Sequence, residues 1–308
     1  MNYQLDDFGK IFVFFFTVVF VLASVGLVFR MINPSREDLS ASLVGASSLD
    51  RNSLPNRDWQ VVDPEVIASS AISVETDLSS QDKVLFNKEE SKKLPIASIT
   101  KLMTALVALE HYSLTDMVKI SNRAVLQEGD NGVLKLGDSV SVRDLLFIML
   151  IESSNHAAFA LSEATKEDFI SLMNQKAKEV GLNDTYFKDS TGLNSGNYST
   201  ARDLVKLTEY LLKNYPIITE ISRTKEMDLQ RLDGSYYGKL VNTNQLLGEI
   251  PEIVAGKTGF TTAAKGCLLL VLKNIQNNSY QIYVVLGAED RFLEIKKIID
   301  WVNLAYKW

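Results

Sequence analysis

The chain has 308 residues, of which 46% are hydrophobic and 23% are charged, so it can bury the core of a globular protein. The net charge of −6 argues against nucleic-acid binding, which needs a basic surface. A single cysteine, Cys267, excludes an internal disulfide, and its apolar neighbours predict that it is buried in the core. Two histidines, His111 and His156, leave little material for a metal site or a Ser-His-Asp triad. We therefore predict no metal and no cofactor.

The N-terminal part of the chain predicts a membrane segment. Residues 11–29 form an apolar run between Lys10 and Arg30, and a helix of that length nearly matches the roughly 30 Å hydrocarbon core of a bilayer. A transmembrane anchor is favoured over a cleaved signal peptide, because no clear Ala-x-Ala cleavage step is present. The following stretch is rich in Ser and Asn, which is typical of a linker. The predicted organisation is a short leader (1–9), an anchor or signal peptide (10–32), a linker (33–60) and one domain (61–308).

The domain begins and ends with predicted strands and has helices between them. In chain order the expected elements are a hairpin (66–75 and 83–87), helices (97–110, 145–151, 166–180 and one from 200 that ends before Pro216), five strands (227–232, 236–241, 253–260, 266–272 and 280–287) and a closing helix (289–306). Ser141 and Thr200 open two of the helices as N-caps. This order indicates an α+β fold, in which the first hairpin joins an antiparallel sheet made by the last strands and a helical subdomain packs beside it.

The pattern Ser-x-x-Lys occurs three times, starting at Ser80, Ser98 and Ser222. Only Ser98 opens an apolar helix, so the other two are predicted to lie on the solvated surface. At that helix start Lys101 shares a face with the serine, and the helix N-terminus adds partial positive charge. A lysine that activates a serine must be neutral part of the time, which burial beside a second cation such as Lys257 would favour.

The pattern Ser-x-Asn occurs twice. Ser153–Asn155 follows a buried helix, whereas Ser195–Asn197 lies in a glycine-rich loop and is predicted to be a turn. In the first copy, Ser153 is expected to relay protons between Lys101, the nucleophilic serine and a leaving amine. Asn155 is expected to hydrogen-bond a substrate amide and to steady the lysine.

Lys257-Thr258-Gly259 occurs once. A phosphate-binding loop is excluded, because Pro251 stands where that motif requires glycine. In a strand, Lys257 and Gly259 share a face: the lysine offers a positive charge, Thr258 a hydroxyl, and the glycine room for a substrate backbone. An activated serine, a lysine base and a cationic strand are the parts needed for acyl transfer.

With the three motifs in this order, the chain resembles the D-alanyl-D-alanine carboxypeptidases, the low-molecular-mass penicillin-binding proteins, over roughly residues 61–306. The segments that carry the resemblance are 95–104, 189–194, 199–203, 256–261 and 286–291. The resemblance implies a β-lactamase/transpeptidase-like fold and Ser98 as the nucleophile. It also implies a peptidoglycan stem peptide ending in D-Ala-D-Ala as the substrate, release of D-alanine, hydrolysis of the acyl-enzyme, and β-lactams as inhibitors.

Further residue roles follow only from this resemblance. The backbone N–H groups of Ser98 and Phe260 would form the oxyanion hole, and Arg291 would bind the terminal carboxylate. The chain departs from the family at Ser154, where glycine is usual, and at His156, where aspartate is frequent; we expect the histidine to be structural. The implied location is the extracytoplasmic side of a bacterial cell membrane, or outside the cell if the leader is cleaved, with a part in peptidoglycan biosynthesis and cell shape.

Three alternatives to a carboxypeptidase were weighed. A D,D-endopeptidase that cleaves peptidoglycan crosslinks would use the same residues. A class A β-lactamase is the less favoured alternative; the Glu-x-x-Leu-Asn pattern that carries its deacylating glutamate occurs once, at residues 179–183. A membrane-tethered module that binds the wall or senses penicillin without catalysis would not need the serine, both lysines and Asn155, all of which are present.

Overall fold

The computed structural model describes residues 55–79, 82–129, 132–230 and 234–308. The predicted leader, the membrane segment 11–29 and the linker as far as residue 54 lie outside the described residues, as does Ser80. Within the described ranges, no helix is long and apolar enough to cross a membrane. A compact unit begins at Pro55, and β1 (Asn56–Arg57) pairs with β13 (Tyr306–Lys307). The structure therefore places residues 55–60, which the sequence assigned to the linker, in the folded unit.

Between β1 and β13 the described residues form eleven further strands. In chain order they are β2 (Ser70–Thr76), β3 (Lys83–Lys88), β4 (Leu94–Pro95), β5 (Met117–Lys119), β6 (Ser139–Ser141), β7 (Tyr198–Ser199), β8 (Glu226–Gln230), β9 (Tyr236–Val241), β10 (Ile253–Thr261), β11 (Lys265–Lys273) and β12 (Tyr280–Ala288). Five of them form one antiparallel sheet in the order β10-β11-β12-β2-β3, and the remaining strands make two-stranded pairs.

The helices of the described residues lie mostly between β3 and β10 in sequence. They are α1 (Lys101–His111), α2 (Asn122–Val125), α3 (Val142–Ile151), α4 (Asn155–Glu163), α5 (Phe169–Glu179), α6 (Ala201–Asn214), α7 (Pro216–Ser222) and α8 (Arg291–Ala305). A 3₁₀ turn, Ala97–Thr100, leads directly into α1. The predicted N-caps are present: Ser141 Oγ accepts from the Asp144 N–H at 3.1 Å, and Thr200 Oγ1 accepts from the Asp203 N–H at 3.0 Å.

Side chains alternate between the two faces of the sheet along each strand. Both faces are buried, each against its own apolar cluster. Cys267, Leu269 and Val271 of β11 belong to the larger apolar cluster, which contains α1 and α3. Leu268, Leu270 and Leu272 of the same strand belong to a second cluster, which contains α8. Two helical layers therefore enclose the sheet, and the prediction that Cys267 is a core residue is confirmed.

The predicted joining of the first hairpin to the last strands is confirmed, since β2 pairs with β12. The first strand of this hairpin, β2, begins at Ser70 and not at residue 66. Ile67 lies outside it, because its N–H donates to Glu294 of α8 at 2.7 Å instead of to a neighbouring strand. The prediction of a surface position for Ser222 is wrong. Its hydroxyl is buried, donates to the Thr219 carbonyl at 2.9 Å and accepts the Gly256 N–H at 3.2 Å.

A buried carboxyl on α6 makes the stability of this fold depend on pH. Burial and the neighbouring Asp82 raise the pKa of Glu209 from 4.5 to about 7. The folded protein therefore holds a proton that the unfolded chain releases above pH 4.5, so Glu209 lowers the free energy of unfolding as the pH rises through 7.

Glu209→Gln mimics the protonated form. We expect it to raise the free energy of unfolding by on the order of 1 kcal/mol at pH 8 and to change it little at pH 5, since partial exposure screens the full effect. Denaturant unfolding at both pH values measures this, with the exposed Glu220→Gln of α7 as the control. An equal gain at both pH values would contradict the argument.

Candidate active site

Ser98 and Lys101 face each other because the 3₁₀ turn that contains Ser98 runs directly into α1, which begins at Lys101. In a 3₁₀ turn the side chains at i and i+3 lie above one another. Ser98 is the second residue of the turn, and Lys101 is the first residue of α1. The lysine side chain is fully buried, and its Nζ lies 2.9 Å from Ser98 Oγ. Ala97, just before the serine, has a φ of +47°, a strained backbone conformation of the kind that collects at functional sites.

Two further oxygens accept hydrogen bonds from Lys101. Asn155 Oδ1 and the Thr191 carbonyl each lie 2.6 Å from Nζ. The side-chain amide of Asn155 can point only one way, because its Nδ2 donates to the Glu128 carbonyl at 2.7 Å. Its oxygen is therefore held toward the lysine.

The partners of Lys101 suit a neutral lysine that accepts a proton from Ser98. An amide oxygen and a carbonyl oxygen only accept hydrogen bonds, so each can take an N–H group of a neutral amine. Ser98 Oγ carries a proton that it can donate to the nitrogen lone pair 2.9 Å away. The arrangement therefore suits removal of the Ser98 proton by Lys101.

Ser153 lies on a strained turn between α3 and α4. Its φ is +65°, and the next residue, Ser154, caps α4 by accepting the Ala157 N–H at 3.1 Å. The turn directs Ser153 and Asn155 into the site and uses the serine between them as the cap. Ser153 Oγ accepts a hydrogen bond from Lys257 Nζ at 2.7 Å.

Lys257 is buried on β10, the edge strand of the sheet. Its Nζ also donates to the Thr258 carbonyl at 3.1 Å. Burial, and then the positive charges of Lys101 and Arg291, hold its pKa well below that of a free lysine. Three basic side chains, those of Lys101, Lys257 and Arg291, therefore lie near one another, where an anionic ligand would be stabilised.

Glycines let the loop after α5 and strand β10 close around the nucleophile. A Cβ at Gly192 would lie 2.1 Å from the Ala97 carbonyl oxygen, and a Cβ at Gly259 would lie 3.0 Å from the Ser98 nitrogen. The expected room for a substrate backbone on that side of Gly259 is thus occupied by the chain's own nucleophile segment.

The free edge of β10 presents backbone groups toward the serine. The Gly256 N–H points away from β11 and bonds to Ser222 Oγ. Backbone groups alternate with a period of two, so the Phe260 N–H points to the same free edge. The Phe260 side chain itself is 63% exposed. Thr258 Oγ1 lies 2.5 Å from Thr243 Oγ1, a contact that orients its hydroxyl.

Arg291, at the start of α8, lies against β10. Its Nη1 donates to the Gly259 carbonyl at 3.5 Å, and its guanidinium stacks 4.8 Å from the Phe292 ring. Burial lowers its pKa, and its Nε is buried without a hydrogen-bond partner among the described residues. The side chain is thus near Lys257 and retains a donor for a ligand.

The sequence predicts no contact between the loop at residues 189–194 and Lys101, although the Thr191 carbonyl accepts a hydrogen bond from that lysine. Asp189 accepts the Thr191 N–H at 2.7 Å and the Gly192 N–H at 2.6 Å, which folds the loop. Asn197, predicted to lie in a simple turn, is buried, and its Nδ2 donates to Thr100 Oγ1 at 3.1 Å. This second Ser-x-Asn copy therefore ties the loop to the nucleophile turn.

His156 supports the site from behind. It is buried on α4, and its Nε2 lies 3.2 Å from the Gln127 carbonyl. Asn155 binds the next carbonyl, that of Glu128, so adjacent side chains of α4 hold adjacent peptides of the facing loop. This position agrees with the expected structural part of the histidine.

Comparison with known proteins identifies the family. The sequence model of the family described as D-alanyl-D-alanine carboxypeptidase matches residues 58–290. The chain belongs to this family. The D-alanyl-D-alanine carboxypeptidase DacF of Bacillus subtilis is 36% identical over 253 residues, which are 78% of this chain and 63% of that protein. A D-alanyl-D-alanine endopeptidase of Escherichia coli is 35% identical over 249 residues, 78% of each chain.

Solved structures of the same fold support the family assignment. The Streptomyces K15 DD-transpeptidase is 27% identical with a TM-score of 0.71, and the match covers 79% of this chain and 100% of that one. A D-alanyl-D-alanine carboxypeptidase of Mycobacterium tuberculosis is 25% identical with a TM-score of 0.71, over 81% of this chain and 96% of that one. The predicted transpeptidase-like α+β fold is confirmed.

Gly192→Ala tests the close packing behind the nucleophile. The added methyl group would force the Ala97 carbonyl to move, and with it Ser98. We expect acylation by a fluorescent penicillin to slow by about tenfold or more, since small displacements of reacting groups can cost about 100-fold in rate.

Gly137→Ala is the matched control. It has a similar φ, +84° against +90°, but its Cβ would meet nothing within 4 Å. Both variants carry the strain of a left-handed alanine, about 1–2 kcal/mol, so both should unfold at lower temperature. Only Gly192→Ala should lose acylation; equal acylation rates in the two variants would contradict the packing argument.

Proposed function

We propose that this protein is a serine-type D-Ala-D-Ala carboxypeptidase that trims peptidoglycan stem peptides through an acyl-enzyme at Ser98. One observation carries the proposal. Lys101 is buried with Asn155 Oδ1 and the Thr191 carbonyl as acceptors for its hydrogens, and its Nζ lies 2.9 Å from Ser98 Oγ. A general base held in this way is what a serine nucleophile requires.

In the proposed acylation step, Ser98 Oγ attacks the carbonyl carbon of the penultimate D-alanine while its proton passes to Lys101. The carbonyl oxygen becomes an oxyanion. The Ser98 N–H and the Phe260 N–H are proposed to stabilise it; the direction of the Phe260 N–H toward the free edge of β10 supports this role. The peptide C–N bond then breaks and leaves the ester at Ser98.

The leaving D-alanine needs a proton on its amine and a partner for its carboxylate. Lys257 Nζ donates to Ser153 Oγ at 2.7 Å, which leaves the Ser153 hydrogen available and supports Ser153 as the final donor. The proton that Lys101 took from Ser98 is proposed to replace it, so Lys101 is neutral again before deacylation. Lys257, Arg291 and the Thr258 hydroxyl are the proposed carboxylate partners; burial and then the charges of Lys101 and Arg291 lower the pKa of Lys257, which supports their proximity. A carboxylate placed between them would relieve their repulsion.

The proposed deacylation step returns the enzyme to its starting state. Lys101 accepts a proton from a water molecule as the water attacks the ester carbonyl. The tetrahedral intermediate collapses, and Ser98 leaves and is reprotonated. Asn155 is proposed to keep Lys101 in position in both steps and to hydrogen-bond the substrate amide.

A D,D-endopeptidase is the second candidate, and a specific finding favours it. The E. coli relative is named an endopeptidase and matches over the same share of both chains. An endopeptidase forms the acyl-enzyme in the same way but releases a crosslinked side chain instead of free D-alanine. The two activities therefore differ in the leaving group that the cleft must accept, which is D-alanine for the carboxypeptidase and a crosslinked side chain for the endopeptidase.

We further propose that residues 11–29 anchor the protein in a bacterial membrane, with residues 61–308 on the extracytoplasmic side. The support is the length and apolarity of that run and the extracellular location of peptidoglycan. Residues 33–54 would serve as the linker between them.

Acylation by penicillin tests the nucleophile and its base. Mass spectrometry of the penicillin-treated protein should place the adduct on Ser98. Lys101→Met should slow acylation by about 100-fold or more, the usual contribution of a general base. Lys225→Met, in the Ser222 copy of the same pattern, is exposed and should acylate normally. An adduct on Ser222, or an unchanged rate in Lys101→Met, would refute the assignment.

Product analysis separates the two candidate activities. The full-length protein in detergent is incubated with a stem pentapeptide and, separately, with a crosslinked stem dimer. Free D-alanine from the pentapeptide is the expected result for the carboxypeptidase. Monomers from the dimer without D-alanine from the pentapeptide would instead establish the endopeptidase, and Ser98→Ala should abolish either product.

A further inference from the structure

A groove rich in aromatic rings lies beside β3, at the sheet edge opposite β10. It has a volume of about 500 Å³, and we call it the aromatic groove. Three strands lie between the edge strands β10 and β3, so four interstrand spacings place the groove about 19 Å from the edge that carries Lys257. Its rings and side-chain amides belong to Trp59, Phe86, Trp301, Tyr306, Asn56 and Asn87.

Trp59 is the most unusual residue of the aromatic groove. It is 80% exposed, although a tryptophan is generally well buried. The Arg57 guanidinium lies 4.2 Å from its ring centroid and 5.1 Å from that of Trp301. Arg57 therefore supports one side of the indole by a cation–π contact and leaves the rest of the ring available to a ligand.

The other rings form a preorganised wall. Trp301 packs edge-to-face on Phe86 and on Tyr306, with centroids 5.8 Å apart in each case. Trp301 Nε1 donates to the Val62 carbonyl at 2.9 Å, and the Tyr306 hydroxyl donates to the Leu85 carbonyl at 2.7 Å. Because these polar tips already have partners, the rings are held in place before any ligand binds.

The charged groups of the aromatic groove are already paired with one another or with the chain. Arg57 forms an ion pair with Asp63, and Lys83 donates to the Pro55 carbonyl. The Asp63 carboxylate is 63% exposed, so the groove presents a carboxylate together with the exposed side-chain amides of Asn56 and Asn87. A carboxylate that accepts hydrogen bonds and amides that donate and accept them suit a ligand that carries hydroxyl groups.

We propose that the aromatic groove is a second binding site that takes a saccharide, a chain of β-linked N-acetylhexosamines. A pyranose has a face of C–H groups with partial positive charge, which stacks on the negative face of an indole. Its hydroxyl and acetamido groups match amides, which both donate and accept. That the saccharide is the glycan strand of peptidoglycan rests on the proposed function.

Two separated sites would change how the enzyme meets an insoluble polymer. With a glycan strand held in the aromatic groove, neighbouring stem peptides stay near the Ser98 cleft, so their effective concentration rises without any new contact in the cleft. The aromatic groove then acts on the affinity for the polymer and leaves the reaction of small substrates unchanged.

Titration with chitotetraose, and with peptide-free glycan strands, tests the proposal in the full-length protein in detergent. Isothermal titration calorimetry measures the dissociation constant. Trp59→Ala should weaken binding by about tenfold or more, because Trp59 presents the exposed ring on which the saccharide would stack. Trp59→Phe should retain part of it, and Asn87→Ala should weaken it about threefold. Tyr236→Ala, an exposed aromatic on β9 outside the groove, is the matched control and should bind normally.

Fluorescent-penicillin labelling of the same samples separates this inference from the proposed function. Normal labelling with no saccharide binding, or with Trp59→Ala binding as tightly as the unchanged protein, would refute the saccharide site and leave the enzyme assignment standing. Saccharide binding that depends on Trp59 without penicillin labelling would support the site and refute the enzyme. Trp59-dependent binding to phosphatidylglycerol vesicles in place of saccharide would also overturn the proposal.

Discussion

The structure depends on the burial of Lys101, a side chain that is stable in a protein interior only if its hydrogens find acceptors. The polar partners of this lysine come from three separate parts of the chain: the turn with Ser98, the start of α4 with Asn155, and the loop with Thr191. The helical subdomain and the loop that follows it must both be in place before the lysine is satisfied. The contacts that stabilise the buried lysine therefore also bring the residues of the site together.

The second constraint is the close approach of three backbone segments around the serine. The nucleophile turn is packed between Gly192 on one side and Gly259 on the other, at distances that leave no room for a side chain. Positive φ values at Ala97 and Ser153 show that the backbone accepts strain there. The five-stranded sheet, buried on both faces, supplies the rigid support against which this strain is held.

Much of this fold can be predicted from the sequence, and so can part of the site. Apolar periodicity and N-caps suffice to predict the helices and the closing strands, because those signals are local. Among the three Ser-x-x-Lys patterns, the apolar helix that follows Ser98 is enough to select it. The charged residues around Ser222 predict a surface position, but that serine is buried, since nearby charges do not determine which side of a helix a serine occupies. The Thr191 and Glu128 carbonyls leave no trace in sequence, because every residue has one.

The convergence of Lys101, Lys257 and Arg291 links ligand binding to protons. Burial and the positive charges of Lys101 and Arg291 lower the pKa of Lys257, so the charged form of that lysine is less favourable than in a free lysine. A carboxylate bound beside it favours the charged form and raises that pKa again. Because such linkage is reciprocal, protonation of Lys257 and the binding of an anion favour each other. The site thus couples the binding of an anion to the charge of one buried lysine.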